Sequence, residues 1–311
     1  MTIDKIPASD RATWLSLRGQ DVTASVAGAL FGVHEYMTPF QLWALKAGRI
    51  TDDPEETPAM RRGTLLEPVA VELLREAHPD WSMIHNTGPD RVYYRDPAAR
   101  IGATPDLRVH DPVRGYGLVQ IKTVEQGAFR RKWTAGGDGI IEPPLWIAVQ
   151  ALLEAHLTGA DWVGVAALVC GYGLDLHEVR IPQNEGVVKR LYERTAEFWT
   201  MVGDGIEPSP DFARDGDTLD RLYARDTGTE IDLSGNERIA ARVEERAEHK
   251  RLIKTHTALV KEIDAEVKAA LGEHSAGVLA DGSKVTWKSQ TRRAYEVKES
   301  TFRVLRYPKE D

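Results

Sequence analysis

Residues 101–123, IGATPDLRVHDPVRGYGLVQIKT, hold two runs of β-forming residues, 101–109 and 117–123, on either side of a turn-forming stretch, 110–116, that contains Asp, Pro and Gly. This is the pattern of a hairpin. Side chains alternate across a strand, so Gln120 and Lys122 share one face while Val119 and Ile121 point the other way, into a core. Asp106 falls near the end of the first run, just after Pro105, whose missing N–H ends regular pairing. An acid, an amide oxygen and an ammonium are therefore expected to meet at the hairpin's edge. Carboxylate and carbonyl oxygens suit a hard divalent cation, and a nearby lysine can orient a water or a phosphate. A solvated hairpin would show the same local pattern, so the surroundings have to decide.

The 311 residues are enough for one large domain with an appendage, and 42% hydrophobic with 28% charged residues is a globular composition. No apolar run is long enough to span a bilayer, and MTIDKIPASDRATW lacks the apolar centre of a signal peptide, which predicts a cytoplasmic location. Cys170 is the one cysteine, which excludes intramolecular disulfides and zinc or iron–sulfur sites built on several cysteines. It ends the apolar run WVGVAALVC and is expected to be buried and inert. The net charge of −8 rules out a generally basic surface but leaves room for a local basic groove. Arg61 and Arg62, and Arg130, Arg131 and Lys132 beside Trp133, are the clusters that could line one; a solvated face is the plainer reading of each.

Outward from the hairpin, Trp14 to Arg18 predicts a helix ending at Gly19, and Thr23 or Ser25 caps a short apolar helix. Thr38 and Pro39 open a helix that Gly48 stops. The acidic stretch 50–58 reads as a loop. Leu66, Ala70, Leu73, Leu74 and Ala77 line one face of a helix from Met60 to Ala77 that carries Glu67. A strand is expected over 86–94, a basic-aromatic segment over 126–133, and a mobile loop at GGDG, 136–139. LWIAVQALLEAHLTG is a helix stopped by Gly159, with strands at 162–170 and 174–181 and a helix over 188–202 after it. Residues 206–234 read as a linker. A long charged helix over 236–271 repeats apolar residues every seven, as in a coiled coil or docking arm, or lies back on its own core. VLADGSKVTWK is a hairpin turning at Asp281 and Gly282, and the tail is basic and aromatic. The fold class is α/β (α+β), a mixed sheet flanked by helices with a C-terminal helix and β-hairpin appendage. The expected domains are 1–205, a linker over 206–234 and an accessory region over 235–311.

Glu67, then Pro105-Asp106, then Gln120-Ile121-Lys122 resembles the PD-(D/E)xK nuclease signature: a glutamate on a helix, an aspartate on a strand and a carboxylate-x-lysine on the next. With WLSLRGQDVTAS, YMTPFQLWALKAG, RRGTLLEP, GATPD, QIKT and a helix bearing Gln150 before TGADW in one order, the chain resembles the phage lambda-exonuclease or YqaJ viral recombinase family. The resemblance covers Trp14 to about Val169 and implies a restriction-endonuclease-like core. It further implies that Glu67, Asp106 and the peptide carbonyl of Ile121 hold Mg²⁺ (or Mn²⁺), that Lys122 polarises the attacking water, and that Gln150 faces the same cleft. Arg18, Ser25 and Thr104 match positions around a pocket for a 5′-terminal phosphate; a surface arginine and a helix cap are the plainer readings of the first two. Double-stranded DNA would be the partner, with a single-strand annealing protein beside it, and a ring-forming trimer the assembly.

One position departs. The family usually has Glu or Asp where Gln120 stands, which keeps an oxygen for the metal and loses a charge. Three outcomes follow: an active enzyme that tolerates the amide, rescue by a nearby carboxylate such as Glu125, or a site that binds DNA without cutting it. No GxxxxGK[ST], GxSxG or HExxH motif is present, which leaves ATP-driven, serine-nucleophile and zinc-protease chemistry without support.

Overall fold

The alternation around Gln120 belongs to an eleven-residue strand, Gly115–Glu125, in the middle of a five-stranded sheet. The computed structural model describes residues 2–51, 57–133, 141–292, 299 and 303–307. The GGDG loop, most of the acidic 50–58 stretch and much of the basic-aromatic tail lie outside them. The chain divides into two compact units, Met1–Leu222 and Tyr223–Asp311.

The first unit opens with β1 (Asp4–Pro7), α1 (Arg11–Gln20), β2 (Val22–Thr23), α2 (Ala24–Ala27) and α3 (Pro39–Lys46). Then come α4 (Pro58–Ala77), β3 (Ser82–His85), β4 (Val92–Asp96), β5 (Ile101–Ala103), β6 (Leu107–Asp111) and β7 (Gly115–Glu125). It closes with α5 (Gln126–Lys132), α6 (Leu145–Thr158), β8 (Trp162–Cys170), β9 (Leu174–Ile181), α7 (Glu185–Asp204) and α8 (Gly216–Leu222). Strand order is β3-β6-β7-β8-β9 in the larger sheet and β1-β4-β5-β2 in the smaller. β7 and β8 run parallel; the other neighbours in the larger sheet are antiparallel. This is the mixed sheet flanked by helices that the order of elements in the sequence predicts.

β8 is apolar on both faces because both are covered. Ala70, Val71 and Leu74 of α4 pack with Val119, Ile121, Ala166 and Leu168 on one side. On the other, Ile147, Ala151 and Leu152 of α6 pack with Leu118, Val163, Val165 and Ala167. Gln120 therefore lies in the α6 interface, 3% exposed. Gly117 leaves room for its partner's ring: a Cβ there would come 2.0 Å from Trp162 Cε2.

Several boundaries differ from the sequence reading. Residues 101–109 are two strands of two sheets, because the Thr104-Pro105 step carries the chain from one sheet to the other. Asp106 thus precedes β6 instead of ending a strand, and the hairpin turn is tighter, with Asp111 opposite Gly115. The strand expected at 86–94 begins at Val92. Thr23 occupies the cap position of α2 without capping it; its hydroxyl pairs with Ser25 Oγ at 3.0 Å. Cys170 is half-buried at the end of β8. Within 206–234, Asp215 is 1% exposed, accepts from the Thr38 hydroxyl at 2.6 Å and precedes α8.

The second unit holds α9 (Glu237–Leu271) and the hairpin of β10 (Ala276–Val278) and β11 (Lys284–Thr286). Asn236 caps α9 by accepting from Ile239 N–H, and Gly282 turns the hairpin at φ +84°. Leu271 is its one buried hydrophobic residue among those described. Among the described residues no helix is long and apolar enough to cross a membrane.

Candidate active site

Asp106 sits where the chain changes sheets, and Asn86 fixes that crossing. The Asn86 side chain donates to Pro105 O (2.9 Å) and Val92 O (3.1 Å) and accepts from Val92 N–H (2.8 Å). Its own N–H donates to Asp106 O at 2.9 Å. Proline supplies no N–H at the step, so a side chain does the joining that a ladder would do elsewhere. Asp106 Oδ2 in turn accepts from Ile121 N–H at 2.8 Å, which anchors the carboxylate over β7.

The register that pairs Leu107 with Val119 sets Asp106 opposite Gln120, on the face that also carries Lys122. Lys122 Nζ donates to Gln150 Oε1 at 3.1 Å and lies 5.6 Å from the Trp146 ring centroid. Gln150 Nε2 donates onward to Glu154 Oε1 at 2.9 Å. Gln150 and Glu154 are one turn apart on α6, 3% and 1% exposed. On the far side of Asp106, Glu67 Oε1 meets His85 Nε2 at 2.7 Å. Burial first, and then the Glu67 charge, push the Asp106 carboxyl well above the usual range, against the pull of Lys122. Burial and then the Asp106 charge do the same to Glu154. A carboxyl raised by a neighbouring acid is a crowded one, and a cation beside it relieves the crowding.

The expected phosphate residues also come together. Arg18 Nη2 donates to Ser25 Oγ at 3.2 Å, and the guanidinium lies 4.6 Å from the Trp14 ring centroid. Trp14 Nε1 donates to Thr104 Oγ1 at 3.0 Å, two residues before Asp106. His34 accepts from Tyr36 N–H through Nδ1, so its Nε2–H donates to Ser25 O (2.9 Å); burial holds its pKa below the usual histidine value. The positive charge of Arg18 pulls weakly against the raised carboxyl of Glu154.

The basic candidates scatter. Arg61 is exposed at the start of α4, and Arg130 and Arg131 are exposed on α5. Lys132 pairs with Glu35. Lys132 and Glu35 line a pocket of about 190 Å³ together with Arg62, Tyr36, Trp146 and Lys122 itself. A larger cavity, of about 710 Å³, lies between α6 and α7, lined by Leu152, His156 and Tyr192, away from these groups. Glu125 is not placed to replace the acid missing at Gln120: its carboxylate caps α5 by accepting from Gly127 N–H (2.7 Å) and Ala128 N–H (2.9 Å). Asn86, His85 and Glu154 are the residues that sequence reasoning missed. For Glu154 a signal existed, a charge inside the otherwise apolar helix run LWIAVQALLEA.

Among the described residues no three His, Cys, Asp or Glu side chains are grouped to hold a metal ion. The site does offer two buried oxygens without a partner, Gln120 Oε1 and Glu154 Oε2. All-oxygen donors that include an amide and carboxylates fit a hard cation such as Mg²⁺.

Residues 13–161 match the family described as the YqaJ-like viral recombinase domain. No curated protein matches the chain in sequence. Among solved structures, an alkaline exonuclease from Laribacter hongkongensis is similar over 67% of this chain and 99% of its own, at 20% identity and a TM-score of 0.49. A phage-related exonuclease from Haemophilus somnus matches over 60% of this chain and 95% of its own, at 12% identity and 0.40. The shutoff and exonuclease protein of Kaposi's sarcoma-associated herpesvirus matches over 64% and 71%, at 13% identity and 0.37.

Proposed function

We propose, from the match of residues 13–161 to the family described as the YqaJ-like viral recombinase domain, that the chain is a Mg²⁺-dependent deoxyribonuclease that degrades linear double-stranded DNA from a 5′ end. The observation that carries this reading is the meeting of Asp106, just before β6, with Gln120 and Lys122 on β7, with Lys122 held by Gln150. Asp106, Gln120, the carbonyl of Ile121 and Glu67 are the groups that would hold the metal. Bound there, a divalent ion neutralises charge at the phosphate and makes a coordinated water more acidic.

The chain's own residues do the rest. Lys122, fixed between Gln150 and the Trp146 ring, puts a positive charge where the attacked phosphate gains negative charge. Gln150 sets the position of that ammonium and presents no charge of its own. Arg18, Ser25 and Thr104 receive the terminal phosphate, the planar guanidinium binding two of its oxygens at once. Arg61, Arg130, Arg131 and Lys132 follow the backbone of the duplex. By the same resemblance the working form is a trimeric ring around DNA, acting in phage recombination and leaving a 3′ strand for a single-strand annealing protein.

Gln120 favours one other reading, a DNA-binding scaffold that does not cut. Loss of a 5′-phosphorylated linear duplex in Mg²⁺ or Mn²⁺ separates the two. Wild type is expected to degrade it, with Asp106→Ala and Lys122→Ala each slower by roughly 10²- to 10³-fold. Equal inertness of all three with DNA still bound refutes the enzyme. A 5′-hydroxyl duplex should be degraded more slowly, and closed circular plasmid should survive; cutting of the plasmid marks an endonuclease.

A further inference from the structure

We infer that Glu154 is a carboxylate ligand of the cation site, standing in for the acid that Gln120 lacks, with Gln120 kept beside it as a neutral oxygen donor. The assignment rests on the nuclease reading above and names a ligand which that reading does not contain.

Its first support is position. β7 and β8 are parallel, so α6, which joins them, runs antiparallel to both. At one end of this crossing Lys122 meets Gln150. At the other, Asp161 N–H donates to Tyr116 O at 2.8 Å. Between these fixed points, two residues back along β7 is a step of about 6.6 Å and one turn onward along α6 about 6 Å, so Gln120 and Glu154 fall level with each other.

The second support is what those two side chains lack. Gln120 is 3% exposed and Glu154 1% exposed, and Gln120 Oε1 and Glu154 Oε2 have no hydrogen-bond partner. Buried oxygens in such surroundings are normally satisfied. Glu154 Oε1 is already held by Gln150, which leaves Oε2 as its free ligand atom. Asp106, opposite Gln120 across the hairpin, adds a carboxylate to this pair, and Glu125 is committed to capping α5. A positioning role alone, with Glu154 merely steadying Gln150, leaves both oxygens unexplained.

Titration of the full-length chain with Mn²⁺, read by calorimetry, tests this. Glu154→Gln keeps the shape and an acceptor for Gln150, and is expected to weaken Mn²⁺ binding by at least about tenfold while still melting cooperatively without metal. The exchange variant Gln120→Glu/Glu154→Gln returns the carboxylate from the other side and is expected to recover affinity to within about threefold of wild type. If Glu154→Gln binds Mn²⁺ as wild type does, or the exchange recovers nothing, the assignment is overturned. Should wild type bind Mn²⁺ and degrade DNA while Glu154→Gln matches it in both, Glu154 alone is misassigned. Should wild type do neither, the nuclease reading falls and takes this assignment with it.

Discussion

Replacing Asn86 with Ala removes three side-chain hydrogen bonds at the point where the chain passes between sheets. Pro105 O and Val92 N–H lose their Asn86 partner in a buried place, so the change should cost about 3 kcal/mol. Denaturant unfolding measures that cost. Activity on duplex DNA should fall further than stability explains at temperatures where the variant is folded, because Asp106 loses the anchor on its peptide. Unchanged turnover in a fully folded Asn86→Ala would show that the backbone N–H groups of residues 86 and 121 suffice to place the carboxylate. Asn86 could not be singled out from sequence: an Asn before a Gly-Pro turn reads as a turn residue, and its partners lie six and nineteen positions away. Asp106 and Lys122 could be picked out from the local pattern of residues 101–123, whereas Glu67 was picked out only through the resemblance.

At the scale of elements, α3, α4, α6 and α9 could be read because caps and stops are local chemistry, as with Thr38 and Pro39 at one end of a helix or Gly159 at another. Strands were harder. Residues 101–109 look continuous, since β-forming side chains announce extended backbone and say nothing of which sheet receives it. The short edge strand β3 gave no distinct pattern, although it brings His85 to Glu67. The close fit of β7 on β8 carries its own prediction. Gly117→Ala would drive a methyl into the Trp162 ring, and overpacking of this kind costs about 1–3 kcal/mol. A melting temperature equal to wild type would mean that the ring has room to move, contrary to the fit seen here.

For the molecule as a whole, burial is divided unevenly. Apart from Leu271, every described buried hydrophobic residue lies in Met1–Leu222. A chain ending at Leu222 is therefore expected to melt cooperatively, to retain cleavage of linear duplex, and to lose whatever α9 contributes. Collapse of the shortened chain to an unfolded spectrum would show that the first unit needs the second. The appendage was visible as a helix and a hairpin, whereas its use was not, since Ile253, Val260 and Ile263 are more than half exposed and sequence does not say what meets them. A last consequence comes from the parallel pairing of β7 with β8. The lysine emerges from the ribosome early, but Gln150 and Glu154 reach it only after α6 has been pinned by a strand that itself needs β9, which ends at Ile181. Non-local pairings of this kind form late. A nascent chain thus holds Lys122 apart from Gln150 and Glu154 until Ile181 has been made, past the middle of its 311 residues.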